Sequence, residues 1–256
     1  MNLNYPAVIS QFSQIIWPLA RISGLFVTMP LVSSVLVPTR IRMVFAFSLA
    51  FLCAPFISER LSFLYFEGKY LVILIHELLL GALMGFVLQL VFQVFVLGGQ
   101  IIAMQAGLGF ATMVDPASKA SIPLIGQFYL MMVSLMFLVL NGHLALLDTL
   151  LSSFRELPVG DIHIGLPAMG SVLAFSGWMF KEAVLVALPA ILSLLIVNLA
   201  FGVMSRVAPQ LNIFSMGFPI TLLMGIVIIR ISLPGVASQI TDSLEQGMRL
   251  IVGILH

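Results

Sequence analysis

The sequence predicts an all-α integral membrane protein, with six long hydrophobic helices followed by a C-terminal amphipathic helix. Three observations carry that expectation. Hydrophobic residues make up 61% of the 256-residue chain and charged residues 8%, against roughly 25% charged in an average soluble domain. The apolar residues gather in runs that reach the roughly 20 residues needed to cross a bilayer. Short clusters of proline, glycine and charge part those runs, and these are the residues that end helices.

Taken in order, the runs predict helices over 15–37, 41–57, 70–104, 124–151, 178–205 and 213–233, and a weaker amphipathic one over 236–255. The breaks are Val37-Pro38-Thr39-Arg40, Ser58-Glu59-Arg60, a glycine-rich segment from Gln105 to Pro123, Leu157-Pro158-Val159-Gly160-Asp161 and Ala208-Pro209-Gln210. The third helix is too long for one upright crossing: it measures roughly 50 Å against a hydrocarbon core of about 30 Å. It must tilt, break or leave the bilayer. No polar or flexible linker and no internal repeat divides the chain, so 1–256 reads as one membrane-embedded helical domain.

The same composition excludes several functions. A net charge of +1 without any basic run carries no nucleic-acid footprint. Cys53 is the sole cysteine, which rules out an internal disulfide and any multi-cysteine metal site. No His-x-x-x-His pair, P-loop or Gly-x-Ser-x-Gly elbow occurs, so neither catalysis nor a cofactor is expected. Residues 1–14 lack the basic start of a secretory signal, which predicts a retained N-terminus. Arg40 and Arg42 favour a cytoplasmic first loop.

Polar residues inside the apolar runs are the functional candidates. On the third helix Glu77, Gly81, Gly85, Gln89 and Gln93 recur at spacing four, and Gln100 continues nearly the same face. Small residues let another backbone approach and glutamines bond across helix interfaces. The row therefore fits either packing within one bundle or a seam facing a subunit or a lumen. Arg21, Glu77, Asp148, Lys181, Glu182 and Arg230 are charges in apolar surroundings, with His76 and His143 as possible proton carriers. Pairing or snorkelling competes there with an ion or proton relay. The fifteen methionines offer gap filling or a compliant seal.

The segment 105–123 is the sharpest local signal. Gly107, Gly109 and Pro116 oppose a helix, yet Leu108, Phe110, Met113 and Val114 avoid water. Irregular backbone at membrane depth survives only where protein buries it or a wet cavity borders it. The segment reads as a plug or re-entrant element, with Asp115-Pro116 at its far side. A second punctuated stretch, Asn198, Gly202, Arg206, Pro209, Gly217 and Pro219, reads as the corner of a helical hairpin.

Several of these motifs together resemble the FliR family of bacterial flagellar export-gate proteins, which is related to the SctT components of virulence type III secretion. They are Arg21 with Pro30, Gln105-Ala106-Gly107 with Asp115-Pro116, Phe137 through Asn141-Gly142-His143, and the run from Asn198 through Pro209-Gln210-Leu211-Asn212-Ile213-Phe214 to Pro219. The resemblance implies a FliP-like first part, 1–177, and a FliQ-like hairpin and tail, 178–256. It also implies assembly with FliP and FliQ, with FlhB and FlhA nearby, at the flagellar basal body of the inner membrane. Exported flagellar proteins would be transient cargo, and the loop would plug the pore. A self-contained secondary transporter and a virulence-secretion counterpart are the alternatives.

Overall fold

Prolines and a few left-handed residues decide where the helices begin and stop. The computed structural model describes residues 5–34, 37–56, 68–108, 123–160, 166–207 and 213–255. Helix α1, Tyr5–Thr28, ends just ahead of Met29-Pro30, because proline disfavours helical backbone in the residue before it. Helix α2, Thr39–Cys53, opens directly after Pro38, whose carbonyl accepts the amides of Ile41 at 3.0 Å and Arg42 at 3.2 Å. A short 3-10 turn, Ala54–Phe56, follows it.

Helix α3, Gly68–Gln105, is 38 residues long and apolar on all sides, which suits burial in lipid or protein. Its end is built by two hydrogen bonds. The Leu108 amide donates to the Ala103 carbonyl at 2.9 Å, and the Gly107 amide to Met104 at 3.1 Å. This is the Schellman arrangement, which places a left-handed residue just past the helix. Gly107 supplies it with φ of 83°.

Helix α4, Leu124–Val139, and helix α5, Gly142–Glu156, meet at a 65° bend. Asn141 sits in the bend with φ 56° and ψ 26°, and its carbonyl accepts the amides of Leu144 and Ala145 that start α5. Asparagine is among the few non-glycine residues that enter this region at modest cost. Helix α6, Leu166–Val207, runs 42 residues through Pro189, and α7, Ile213–Leu255, runs 43 residues through Pro219 and Pro234.

Several expected boundaries are therefore corrected. The first helix spans Tyr5–Thr28 rather than 15–37, because Pro30 ends it, and the helix expected over 178–205 already starts at Leu166. The run 124–151 is two helices rather than one, because Asn141-Gly142 breaks it. The pair 213–233 and 236–255 is one helix, since Pro234 costs a single backbone bond without ending the apolar run. The second element is a 15-residue helix, about 22 Å long and short of a full crossing. Among the described residues, three helices, α3, α6 and α7, are long and apolar enough to cross a membrane, and the bent α4–α5 pair makes a fourth if it counts as one span. At about 57, 63 and 65 Å, the three long ones are about twice the thickness of a hydrocarbon core.

The chain folds as two compact units that interleave in sequence. The first holds residues 1–90, 140–175 and 244–256, and the second 91–139 and 176–243. Trp17, Ile22, Leu25, Ile73, Leu80 and Leu146 fill the core of the first. Phe92, Phe95, Tyr129, Val133, Phe137 and Leu194 fill that of the second, with Phe92 meeting Phe137 edge-on at 5.8 Å. The most apolar windows of α6 and α7 are each only 22% buried, against 50% for α3. Their exposed faces need lipid or other protein to cover them.

Candidate functional site

In the first unit, three helices converge on one guanidinium. Arg21 on α1 is wholly buried, and its Nε donates to Glu77 Oε2 on α3 at 2.7 Å. Nη1 donates to Ser153 Oγ on α5 at 2.9 Å, and Nη2 to the Leu157 carbonyl just past α5 at 3.0 Å. The Ser153 hydroxyl in turn donates to the Leu150 carbonyl at 2.7 Å. The Phe154 ring covers the guanidinium, with Arg21 Cζ 4.3 Å from its centroid. A buried charge is tolerable only when paired and hydrogen-bonded in this way. The fork of arginine donors suits the task, since a lysine ammonium could not reach three elements with the same geometry.

Around that hub the helix backbones touch. A Cβ on Gly81 would lie 1.8 Å from the Arg21 carbonyl oxygen, one on Gly24 would lie 2.1 Å from that of Leu78, and one on Gly85 would meet Thr28 Oγ1 at 2.1 Å. These separations are far inside van der Waals contact, so only glycine allows α1 and α3 to pack here. Thr28 then bonds across to the Ala82 carbonyl at 3.0 Å.

The second unit contains both ends of the apolar segment 105–123. A Cβ on Gly99 of α3 would stand 2.8 Å from Gly126 Cα on α4. The two helices that flank the loop are thereby pinned backbone to backbone. Buried Ala106 meets α7, where a Cβ on Gly225 would fall 2.9 Å from its methyl carbon. The chain thus leaves α3 at Gly107 from a fixed stem and re-enters α4 beside that stem.

The model of the family described as "Bacterial export proteins, family 1" matches residues 12–247. The chain belongs to this family. Relatives include the flagellar biosynthetic protein FliR of Escherichia coli (strain K12), 36% identical over 86% of this chain and 84% of its own length. The proteins of the same name from Aquifex aeolicus (strain VF5) and Bacillus subtilis (strain 168) are 35% and 34% identical, each over 84% of this chain and 83% of theirs.

In this export-family chain the expected residues fall into distinct places. Glu77, Gly81 and Gly85 turn toward α1 of the same chain, whereas Gln89, Gln93 and Gln100 stay partly exposed farther along α3. Of the loop residues, Gly107 and partly exposed Leu108 form the helix end, while Gly109, Phe110, Met113, Val114, Asp115 and Pro116 lie outside the described residues. At the hairpin corner Asn198, Gly202, Arg206 and Pro219 are exposed, Gly217 is buried, and Pro209 lies outside the described residues. Asp148, Lys181 and Arg230 are exposed, and His76 is buried. Ser153, Phe154 and Leu157, and the glycines 24, 99, 126 and 225, were not legible as a site in the sequence. An Asn-Gly dipeptide inside an apolar run is the one signal that marks the Asn141 bend.

Proposed function

We propose that this chain is a non-enzymatic subunit of the flagellar type III protein-export gate in the bacterial inner membrane, where it helps to form and close the channel for unfolded flagellar proteins. The family match across residues 12–247 carries this reading, supported by relatives named for flagellar biosynthesis. The long, thinly buried α6 and α7 suit a subunit that completes its packing against neighbours. FliP and FliQ are the proposed core partners, with FlhB and FlhA in the surrounding apparatus. On this reading 1–177 plays the FliP-like part and 178–256 the FliQ-like part. Gln89, Gln93 and Gln100 form the intersubunit seam, continuing the row that Glu77, Gly81 and Gly85 begin inside the chain. The exposed corner at Asn198, Gly202 and Arg206 packs against a neighbour.

In the same proposal the loop from Gly107 to Pro116 closes the pore. Leu108, Phe110, Met113 and Val114 supply the apolar seal, and Asp115-Pro116 ends it. The pinned stem at Gly99 and Gly126 supports this, because a plug must be anchored at both ends. A solitary secondary transporter is not favoured: the relatives are flagellar biosynthetic proteins, and of the two carboxylates it would depend on, Glu77 is committed to Arg21 and Asp148 is exposed.

The test is to tag the chain and extract it in mild detergent. Co-purification of two other small membrane proteins is expected, and specific solute binding by the chain alone would sink the proposal. Deleting Gly107 to Val114 should leave the complex assembled and make cells leak small solutes. Unchanged permeability in assembled complexes would remove the plug role.

A further inference from the structure

A groove of about 400 Å³ runs between α1 and α2 within the first unit. Leu19, Phe26 and Val27 wall it from α1, and Met43, Ala46 and Phe47 from α2. Arg42 lines the groove, and its Nη2 is tethered to the carbonyls of Ser34 and Val37 at 3.1 Å each. Its Nε is buried without a hydrogen-bond partner among the described residues. No side chain caps the start of α2, and Arg40 stands exposed beside it. The positive end of the α2 dipole therefore adds to the two arginines, and no lining residue is acidic.

The walls are mainly apolar, with Ser23 and Thr39 as the polar exceptions beside Arg42. Val27, Met43 and Phe47 are 67%, 60% and 54% exposed, and Ile41, Val44, Phe51 and Leu52 extend the apolar surface of α2. Because α2 is too short to cross, its apolar face belongs at the edge of the hydrocarbon, with Arg40 and Arg42 at headgroup level. A mainly apolar slot lined by an arginine and by no acidic residue matches an amphiphile with a single anionic head. A neutral apolar helix would leave the arginine unanswered, and a zwitterionic headgroup would answer it only in part.

We propose that this groove binds one anionic glycerophospholipid, its phosphate at Arg42 and the start of α2, and an acyl chain along Val27, Met43 and Phe47. The test uses the full chain in its membrane complex, extracted in mild detergent, stripped of lipid and titrated with phosphatidylglycerol or phosphatidylcholine under native mass spectrometry. Phosphatidylglycerol should be retained about tenfold more tightly than phosphatidylcholine, whose choline cation brings a like charge up to Arg40 and Arg42 and offsets the phosphate contact. Arg42→Gln should erase that preference and Arg42→Lys keep part of it. Val27→Trp, which fills the groove from an exposed position, should reduce retention of both lipids. Equal retention of the two lipids by the unaltered complex overturns the proposal. Undiminished retention in Val27→Trp overturns it too, and that variant decides the matter if Arg42→Gln yields no complex. Loss of a protein subunit from Val27→Trp, with lipid retained, would assign the groove to a protein instead.

Discussion

Arg21 Nε and Glu77 Oε2 stand 2.7 Å apart, 56 residues apart in the chain, with neither side chain reaching solvent. The pair joins the first helix to α3, and Ser153 and Leu157 bring α5 to the same point. Removing one partner strands the other charge. Arg21→Gln or Glu77→Gln should each cost about 3–5 kcal/mol, read as loss of detergent-extracted, protease-resistant chain. The double change Arg21→Met with Glu77→Leu should recover a good part of that loss. A double variant as damaged as the sum of the singles would mean that the two charges do not act as a pair.

Gly81→Ala should cost more than most helix substitutions, at about 1–3 kcal/mol or above, because its methyl would overlap the Arg21 carbonyl. Gly177→Ala in α6 is the matched control, since a Cβ there meets nothing within 4 Å. It should stabilise the isolated chain by about 0.5–1 kcal/mol. Thermal unfolding in detergent, followed by size-exclusion fluorescence, separates the two, and equal midpoints would contradict the close packing of α1 on α3.

At Gly107 the left-handed backbone makes side-chain shape decisive. Gly107→Val should cost about 1–3 kcal/mol and Gly107→Asn distinctly less. Limited proteolysis across 105–123 is the direct reading, with faster cleavage expected in the valine variant. Equal cleavage of both variants would show that the helix end does not depend on φ of 83° there.

The bend between α4 and α5 offers a third backbone test. Asn141→Gly should be neutral to within about 0.5 kcal/mol, whereas Asn141→Val should cost about 1–2 kcal/mol. A cysteine or spin-label pair across α4 and α5 reports the 65° angle. An unchanged angle and midpoint in the valine variant would refute the assigned role of Asn141.

Gly202→Leu addresses the assembly rather than the chain. The position is open on all sides within 4 Å, so the chain should fold normally while co-purification with partner subunits falls several-fold. Full recovery of the partners would place the interface elsewhere.

Much of the helix pattern could be read from residue types because its causes are local. Pro38 opens α2 and Gly107 stops α3, each through its own backbone chemistry. Hydropathy alone overrated one punctuation mark, Pro234, and underrated two, Pro30 and Asn141. Pro234 sits inside a 43-residue helix, since an apolar run outweighs one missing bond, and Asn141 bends a stretch that looks continuous. The polar row on α3 was legible as a row, but a spacing of four says which residues share a face and not what meets that face.

The sequence by itself determined the class of the protein, the overlong third helix, the break at Gly107 and which charges lie within apolar runs. Those follow from composition, helix rise and backbone sterics, all of which act over a few residues. Only the tertiary structure decided that Glu77 answers Arg21, that Gly81 and Gly85 serve packing inside the chain, and that Gly99 and Gly126 pin the loop stem. Each of these joins residues far apart in sequence, and the choice of partner is made by which backbones can approach closely enough to bury a charge or exclude a methyl group.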